Sequence, residues 1–225
     1  MIITTRGIVL KVTKFRETSI IVKVFTEEKG VTSFIVNSVR SAKSKFKPSY
    51  FEPLSLIEII GYYHPDRDIN RISEIKSVAP LHSIRQDVYK SSIIMFLSEI
   101  VNKTVIEQDR NIPLFEFLFN GLLSFENTSQ NNNFHLQCLL QLTAYLGFGL
   151  DDLKEFIAES PNKTFYDNTS NQTLLHNLLK ASFESNIPLN NEQRSIILND
   201  IIFYYQQHIG LGKLKSLEVL NTIFK

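Results

Sequence analysis

Arg40, Lys43, Lys45 and Lys47 stand within residues 36–51 with no acid among them, and Phe46, Tyr50 and Phe51 close the stretch. Side chains of these types bind polyanions. Cations track a row of phosphates, and flat rings offer bases a face to stack on without regard to sequence. Taken alone, such a run is equally a solvated loop. Its context adds Lys11 and Lys23 on the outward faces of two predicted strands, flanked by Phe15 and Phe25, with Lys14 and Arg16 at the turn between them. The rings have a competing place in packing: Phe34 reads as core, and Phe15 or Phe25 can pack against helices instead.

No catalytic constellation accompanies these cations. His64, His82, His135, His176 and His208 lack metal-ligand spacing of the H-E-x-x-H kind. His135 and Cys138 lie three apart on an apolar helix, where core packing is the stronger reading than a shared metal. Asp151–Asp152 reads as a helix cap rather than an acid–base pair. There is no phosphate-binding glycine loop and no nucleophile elbow. The expectation is a binding protein with no catalytic residue, no metal and no cofactor.

The cations need a scaffold, and the front of the chain supplies strands. In "TRGIVLKVTKF" alternation places Ile8, Leu10 and Val12 on one face and Val9, Lys11, Thr13 and Phe15 on the other. "TSIIVKVFT" follows after a turn, and Gly30 sits where the next hairpin needs a left-handed residue. "VTSFIVNSV" and "LSLIEIIGYY" read as a third and a fourth strand. "INRISEIKSV" is a weaker fifth, because Ile69, Ile72, Ile75 and Val78 also fit a helix. Five strands with a long third connection predict an OB-type barrel.

Beyond Pro80 the period changes to that of helices. Ile93, Phe96, Leu97, Ile100 and Val101 recur at three and four. "PLFEFLFNGLLSF" is apolar nearly all round and reads as a buried central helix. Further helices are expected over "FHLQCLLQLTAYLGF", "DLKEFIAES", "TLLHNLLKASF", "NNEQRSIILNDIIFYYQQHI" and "KLKSLEVLNTIF", with a polar, irregular stretch at 160–190. The predicted class is α+β, with an OB-type barrel over 1–80 that binds DNA and an all-α domain over 81–225 that binds partners.

The 225 residues divide unevenly in charge. Residues 1–80 carry 13 Lys/Arg against 8 Asp/Glu, and residues 81–225 carry 11 against 15. A basic front and an acidic back point to different partners. The sequence has no apolar run of about 18 residues to span a membrane. It has no secretory signal architecture and a single cysteine, Cys138, so a cytoplasmic protein is expected.

The stretch "TRGIVLKVTKFRETSIIVKVFTEEKGVTSFIVNSVRSAKSK" resembles the N-terminal signature of the bacterial RecO family of recombination mediators. It carries Arg-Gly-Ile-Val-Leu, Glu17 in the first turn, the Thr26, Glu27 and Gly30 hairpin, and an Arg/Lys/Ser-rich segment. "FEPLSLIEI" is similar to the family's next strand opening, with Glu52 in place of a Gln, and "LKSLEVL" fits near the end. The resemblance implies an OB barrel followed by a helical domain, and a nucleoid-associated DNA repair and homologous recombination mediator. Such a protein binds single- and double-stranded DNA, anneals strands, pairs with RecR and helps load RecA onto DNA coated by single-stranded-DNA-binding protein. It would also engage that protein's acidic C-terminal tail. By position, Lys11, Lys23, Arg40, Lys43, Lys45 and Lys47 become DNA-contact candidates, and Arg110 or Arg194 candidates for the cation that meets the tail. Many members hold a four-cysteine zinc site, which a chain with one cysteine lacks. The alternative is a protein–protein adaptor in which the helical half carries the function.

Overall fold

A computed structural model describes residues 1–41, 44–106, 109–129, 131–150 and 152–224. Five strands, β1 (Ile2–Phe15), β2 (Ser19–Thr26), β3 (Gly30–Val36), β4 (Leu56–Tyr62) and β5 (Ile69–Ala79), close into a barrel in the order β1-β2-β3-β5-β4. All pairings are antiparallel except β3 with β5, which run parallel from Ser33–Ile69 to Ile35–Arg71. This is the predicted OB-type topology, and the segment in doubt is its fifth strand. The barrel interior is apolar and branched: Val22, Val24, Phe34, Ile57 and Ile59 are all fully enclosed. Gly7 is required by that packing, because a Cβ there would lie 2.5 Å from Val24 Cγ1. Gly30 turns the β2–β3 hairpin at φ 57°, and Thr26 Oγ1 holds the turn by donating to the Gly30 carbonyl (2.8 Å).

Strict alternation fails in β1. Val9 pairs with Val24 and Lys11 with Lys23, so Leu10 is an extra residue in a β-bulge. Each side chain beyond the bulge changes face. Lys11 therefore shares the outer face of Ile8, not the face of Val9 as simple alternation predicts. The long connection after β3 carries a short 3-10 turn (Pro48–Phe51). Its aromatics, Phe46 and Phe51, plug the barrel core, their rings edge to face at 6.5 Å.

Among the described residues eight helices follow: α1 (His82–Gln86), α2 (Val88–Thr104), α3 (Ile112–Asn127), α4 (Phe134–Tyr145), α5 (Leu153–Glu159), α6 (Thr169–Lys180), α7 (Asn191–Ile209) and α8 (Ser216–Ile223). By packing, the chain forms two compact units, Met1–His82 with Val101–Leu123 and Ser83–Ile100 with Ser124–Lys225. The change of period at Pro80 marks where strands give way to helices; the packing units divide elsewhere and add residues 101–123 to the barrel's unit. There Phe25, 1 % exposed on the outside of β2, meets Phe115 edge on at 5.6 Å.

Helix α3, expected to be the buried central helix, lies mostly in the barrel's unit, and in the other unit α4 is the enclosed helix. Phe134 to Leu140 are all enclosed, whereas α3 presents Asn120 to solvent and leaves Glu116 and Phe117 half-buried. Apolar density does not separate the two helices, because α4 also buries a polar side chain, Gln137, whose partners lie outside the helix. Gln137 Nε2 donates to the Ser185 carbonyl (3.2 Å), and its Oε1 accepts from Asn131 (2.7 Å). α5 is capped by Asp152, whose carboxylate accepts from the Lys154 amide (2.9 Å); Asp151 lies outside the described residues. The polar stretch 160–190 closes on a buried carboxylate. Asp200 accepts from Asn162 Nδ2 (2.7 Å) and from the Tyr166 hydroxyl (2.9 Å). Burial, and then the charge of Asp200, push the Tyr166 phenol well above its ordinary range. Among the described residues no three His, Cys, Asp or Glu side chains are grouped to hold a metal ion.

Candidate nucleic-acid interface

The basic residues of the barrel unit do not form a single file. Lys11 and Lys23 face each other across the β1–β2 ladder, on the outer face set by the bulge. Lys11 is exposed. Lys23 is half-buried, and its ammonium donates to the Asn102 carbonyl at 3.4 Å. Burial, with a smaller contribution from the charge of Lys11, lowers the Lys23 pKa. Lys14 pairs with Ile20, a residue of the barrel core, and so belongs to the opposite face from Lys11. Residues 11–14 are all exposed, so this end of the hairpin is open to solvent on both faces.

Two basic turns are tied together at the hairpin tip. Arg16 takes a left-handed conformation at φ 52°, with its guanidinium over the Phe15 ring at 5.2 Å. The amide of Arg40 donates to the Thr18 carbonyl (3.0 Å), which fixes the turn after β3 against the β1–β2 turn. Ser19 Oγ and Asn37 Oδ1, 3.2 Å apart, add a second link. Arg16 and Arg40 are both exposed and neither forms an ion pair among the described residues. Lys43 lies outside the described residues. Lys45 turns back to β5, donating to the Ser73 carbonyl (2.9 Å) with its ammonium 5.0 Å from the Phe46 ring centre. Lys47 is exposed at the start of the 3-10 turn.

The rings expected to stack on bases are mostly committed to packing. Phe46 and Phe51 are core, Tyr50 is half-buried against them, and Phe25 is covered by Phe115. Phe15 remains partly exposed. Pleat arithmetic cannot reveal that a loop folds its aromatics inward to plug a barrel end. The residues missed by sequence reasoning are Tyr62 and Arg71, paired on β4 and β5 and both exposed beside Lys45.

The signature residues Arg6 and Glu27 are structural. Arg6 donates from Nε and Nη2 to both Glu27 carboxylate oxygens, at 2.9 and 2.8 Å, and also to Glu116. Its guanidinium covers the Phe119 ring at 4.8 Å. The Glu27 hydrogen bond raises the Arg6 pKa, and Arg6 in turn holds the Glu27 carboxyl below its ordinary value.

The two candidate partner cations differ sharply. Arg110 forms an ion pair with Glu28 at 3.1 Å. Arg194, in the other unit, lines a cavity of about 480 Å³ with His135, Leu198, Leu220, Asn191 and Phe224. Its guanidinium lies 5.2 Å from the Phe224 ring centre and donates to Asn133 Oδ1 (2.8 Å), Asn191 Oδ1 (2.8 Å) and the Leu189 carbonyl (3.1 Å). Every one of these acceptors is neutral, and burial lowers the Arg194 pKa.

An OB-type barrel with basic turns, followed in the chain by an all-helical part, defines a two-part protein of the α+β class. The N-terminal model of recombination protein O matches residues 1–81, and its C-terminal model matches residues 85–155. The chain is 36 % identical over 236 residues to the DNA repair protein RecO of Flavobacterium johnsoniae and 37 % over 238 residues to that of Flavobacterium psychrophilum, with 100 % of each chain covered. It is 35 % identical over 240 residues to the DNA repair protein RecO of Bacteroides fragilis, with 98 % of each covered. The chain belongs to the RecO family of DNA repair and recombination proteins. Members of this family are mediators rather than classical enzymes. No helix among the described residues is long and apolar enough to cross a membrane.

Proposed function

We propose that this protein binds single- and double-stranded DNA through its barrel, anneals complementary strands and, with RecR, helps load RecA onto DNA coated by single-stranded-DNA-binding protein. The observation that carries the DNA reading is the Arg40–Thr18 bond, which ties two exposed basic turns at one end of the barrel. Lys11, Lys14, Arg16, Arg40, Lys45 and Lys47 meet phosphates there, and Lys43 belongs to the same loop. Lys23 contributes less, because its ammonium is already partly desolvated and bonded to Asn102. Annealing needs two strands with their charge neutralised and their bases free. A sequence-blind cationic surface supplies the first requirement, and base pairing supplies selectivity.

The Arg194 cavity suits the acidic C-terminal tail. Leu198, Leu220 and Phe224 offer apolar surface, and Arg194, which forms no ion pair among the described residues, offers a guanidinium in a lining that also holds Glu192. Arg110 is the weaker candidate, because Glu28 already neutralises it.

The test is salt-titrated fluorescence anisotropy on a labelled oligonucleotide, followed by strand annealing. The parent should bind tightly in dilute buffer and lose affinity steeply as salt rises. Arg16→Glu with Arg40→Glu should abolish annealing. No affinity in dilute buffer, with tail-peptide binding retained, would instead make the protein an adaptor.

A further inference from the structure

One groove of the barrel unit has, apart from Lys45, no residue assigned to DNA so far. It encloses about 530 Å³ between the turn after β3 and the paired ends of β4 and β5. That volume lies in the range of small-ligand sites. Tyr62 and Arg71 oppose each other in the β4–β5 ladder, so their side chains project from one face with Cβ atoms about 5 Å apart. Tyr62 is 48 % exposed, and its ring touches no other aromatic among the described residues. Arg71 is exposed and forms no ion pair among them. Ile60 pairs with Glu74 and Gly61 with Ile72, which makes Ser73 the extra residue of a β-bulge. The Ser73 carbonyl, freed from the ladder, accepts from Lys45 Nζ and draws that ammonium to the groove. Asn37 and Ser38 complete the wall, and Ser38 is held in the left-handed region at φ 60°. Among the described residues the lining thus has two cations and no carboxylate.

An exposed ring, a guanidinium paired with it across the ladder and an ammonium in the same lining match one nucleotide unit of a single strand. From this juxtaposition we infer that the groove seats a nucleotide of single-stranded DNA, the base stacked on Tyr62 and its flanking phosphates held by Arg71 and Lys45. The inference rests on the barrel's DNA binding proposed above and adds a stacking site that the buried loop aromatics do not supply. Polar Asn37 and Ser38 serve any base edge, consistent with binding that ignores sequence.

The chain contains no tryptophan, so Tyr62→Trp creates a single tryptophan reporter in the whole chain, excited selectively at the red edge where tyrosine does not absorb. An oligodeoxythymidylate should quench its emission, and inorganic polyphosphate, which carries charge but no base, should not. By anisotropy Tyr62→Ala and Arg71→Glu should each weaken oligonucleotide binding about tenfold, whereas Tyr62→Phe keeps affinity within about twofold, since the ring and not the hydroxyl stacks. Both positions are solvent-facing, and thermal melts verify folding. Oligonucleotide binding with unchanged emission, equal quenching by polyphosphate, or full affinity in Arg71→Glu would overturn the groove while leaving the barrel reading intact. If the parent protein fails to bind the oligonucleotide in dilute buffer, both fall together.

Discussion

His135 is fully enclosed, between Phe96 and Phe224, and neither ring nitrogen has a hydrogen-bond partner among the described residues. Burial first, and then the nearby Arg194 charge, push its pKa down to about 3. A His whose folded pKa is depressed binds its proton only in the unfolded chain between pH 6.5 and about 3. Its contribution to stability is complete above pH 6.5 and is lost as pH falls, at up to about 1.4 kcal/mol per pH unit. His135→Phe should therefore flatten the pH dependence of stability over that window in urea titrations; an unchanged slope would assign it to other groups. Glu27 acts lower on the scale. Arg6 depresses its pKa, so the pair stabilises the fold above the ordinary carboxyl value of 4.5 and fails as pH falls through the lowered one. Arg6→Ala should cost about 1.5–3 kcal/mol in denaturant melts near neutral pH, the range for a charged hydrogen-bonded group. The Arg and Glu of the signature were visible in the sequence. That they bond to each other follows from the β1–β2 pairing; that Arg6 also reaches Glu116 and lies over Phe119 depends on a contact with α3 that no local pattern encodes.

Elements show where period alone misleads. The bulge at Leu10 moves Lys11 to the other face of β1. Nothing in "GIVLKV" marks that position, because Leu10 is flanked by the strand formers Ile8, Val9 and Val12. Helix α3 looks self-sufficiently buried, yet its Phe115 covers Phe25 on β2. Phe115→Ala should leave Phe25 without its edge-on partner and cost about 3–5 kcal/mol in equilibrium unfolding. A loss below about 1 kcal/mol would mean the site collapses to fill the gap. The polar 160–190 segment carries its own closure in the Asn162–Tyr166–Asp200 cluster. Tyr166→Phe removes one of the two described donors to a buried carboxylate, and a loss of about 1.5–3 kcal/mol is expected.

At the level of the whole molecule the two proposed binding activities should separate. Arg194 and the basic turns belong to different units. Arg194→Ala should weaken binding of an acidic-tail peptide by about tenfold or more and leave oligonucleotide affinity unchanged, as read by anisotropy on each probe. Loss of both together would show that the sites are coupled. For single strands each phosphate contact contributes about 0.7 to the log–log salt slope. Arg16→Glu with Arg40→Glu should lower that slope by at least about 0.7 for each cation lost. An unchanged slope would remove the tied turns from the interface.

The sequence by itself determined the order of strands and helices, the OB class of the barrel, the hairpin glycine and the basic character of the front. These depend on short-range periodicity, on φ preferences and on composition, which neighbouring residues set among themselves. Only the tertiary structure decided which cations stand together, which aromatics fill the barrel and which helix is central. Those outcomes depend on long-range closure: a bulge that reverses a face, a carbonyl of Thr18 that captures the Arg40 amide, and a buried polar set on α4 whose partners lie some 50 residues away.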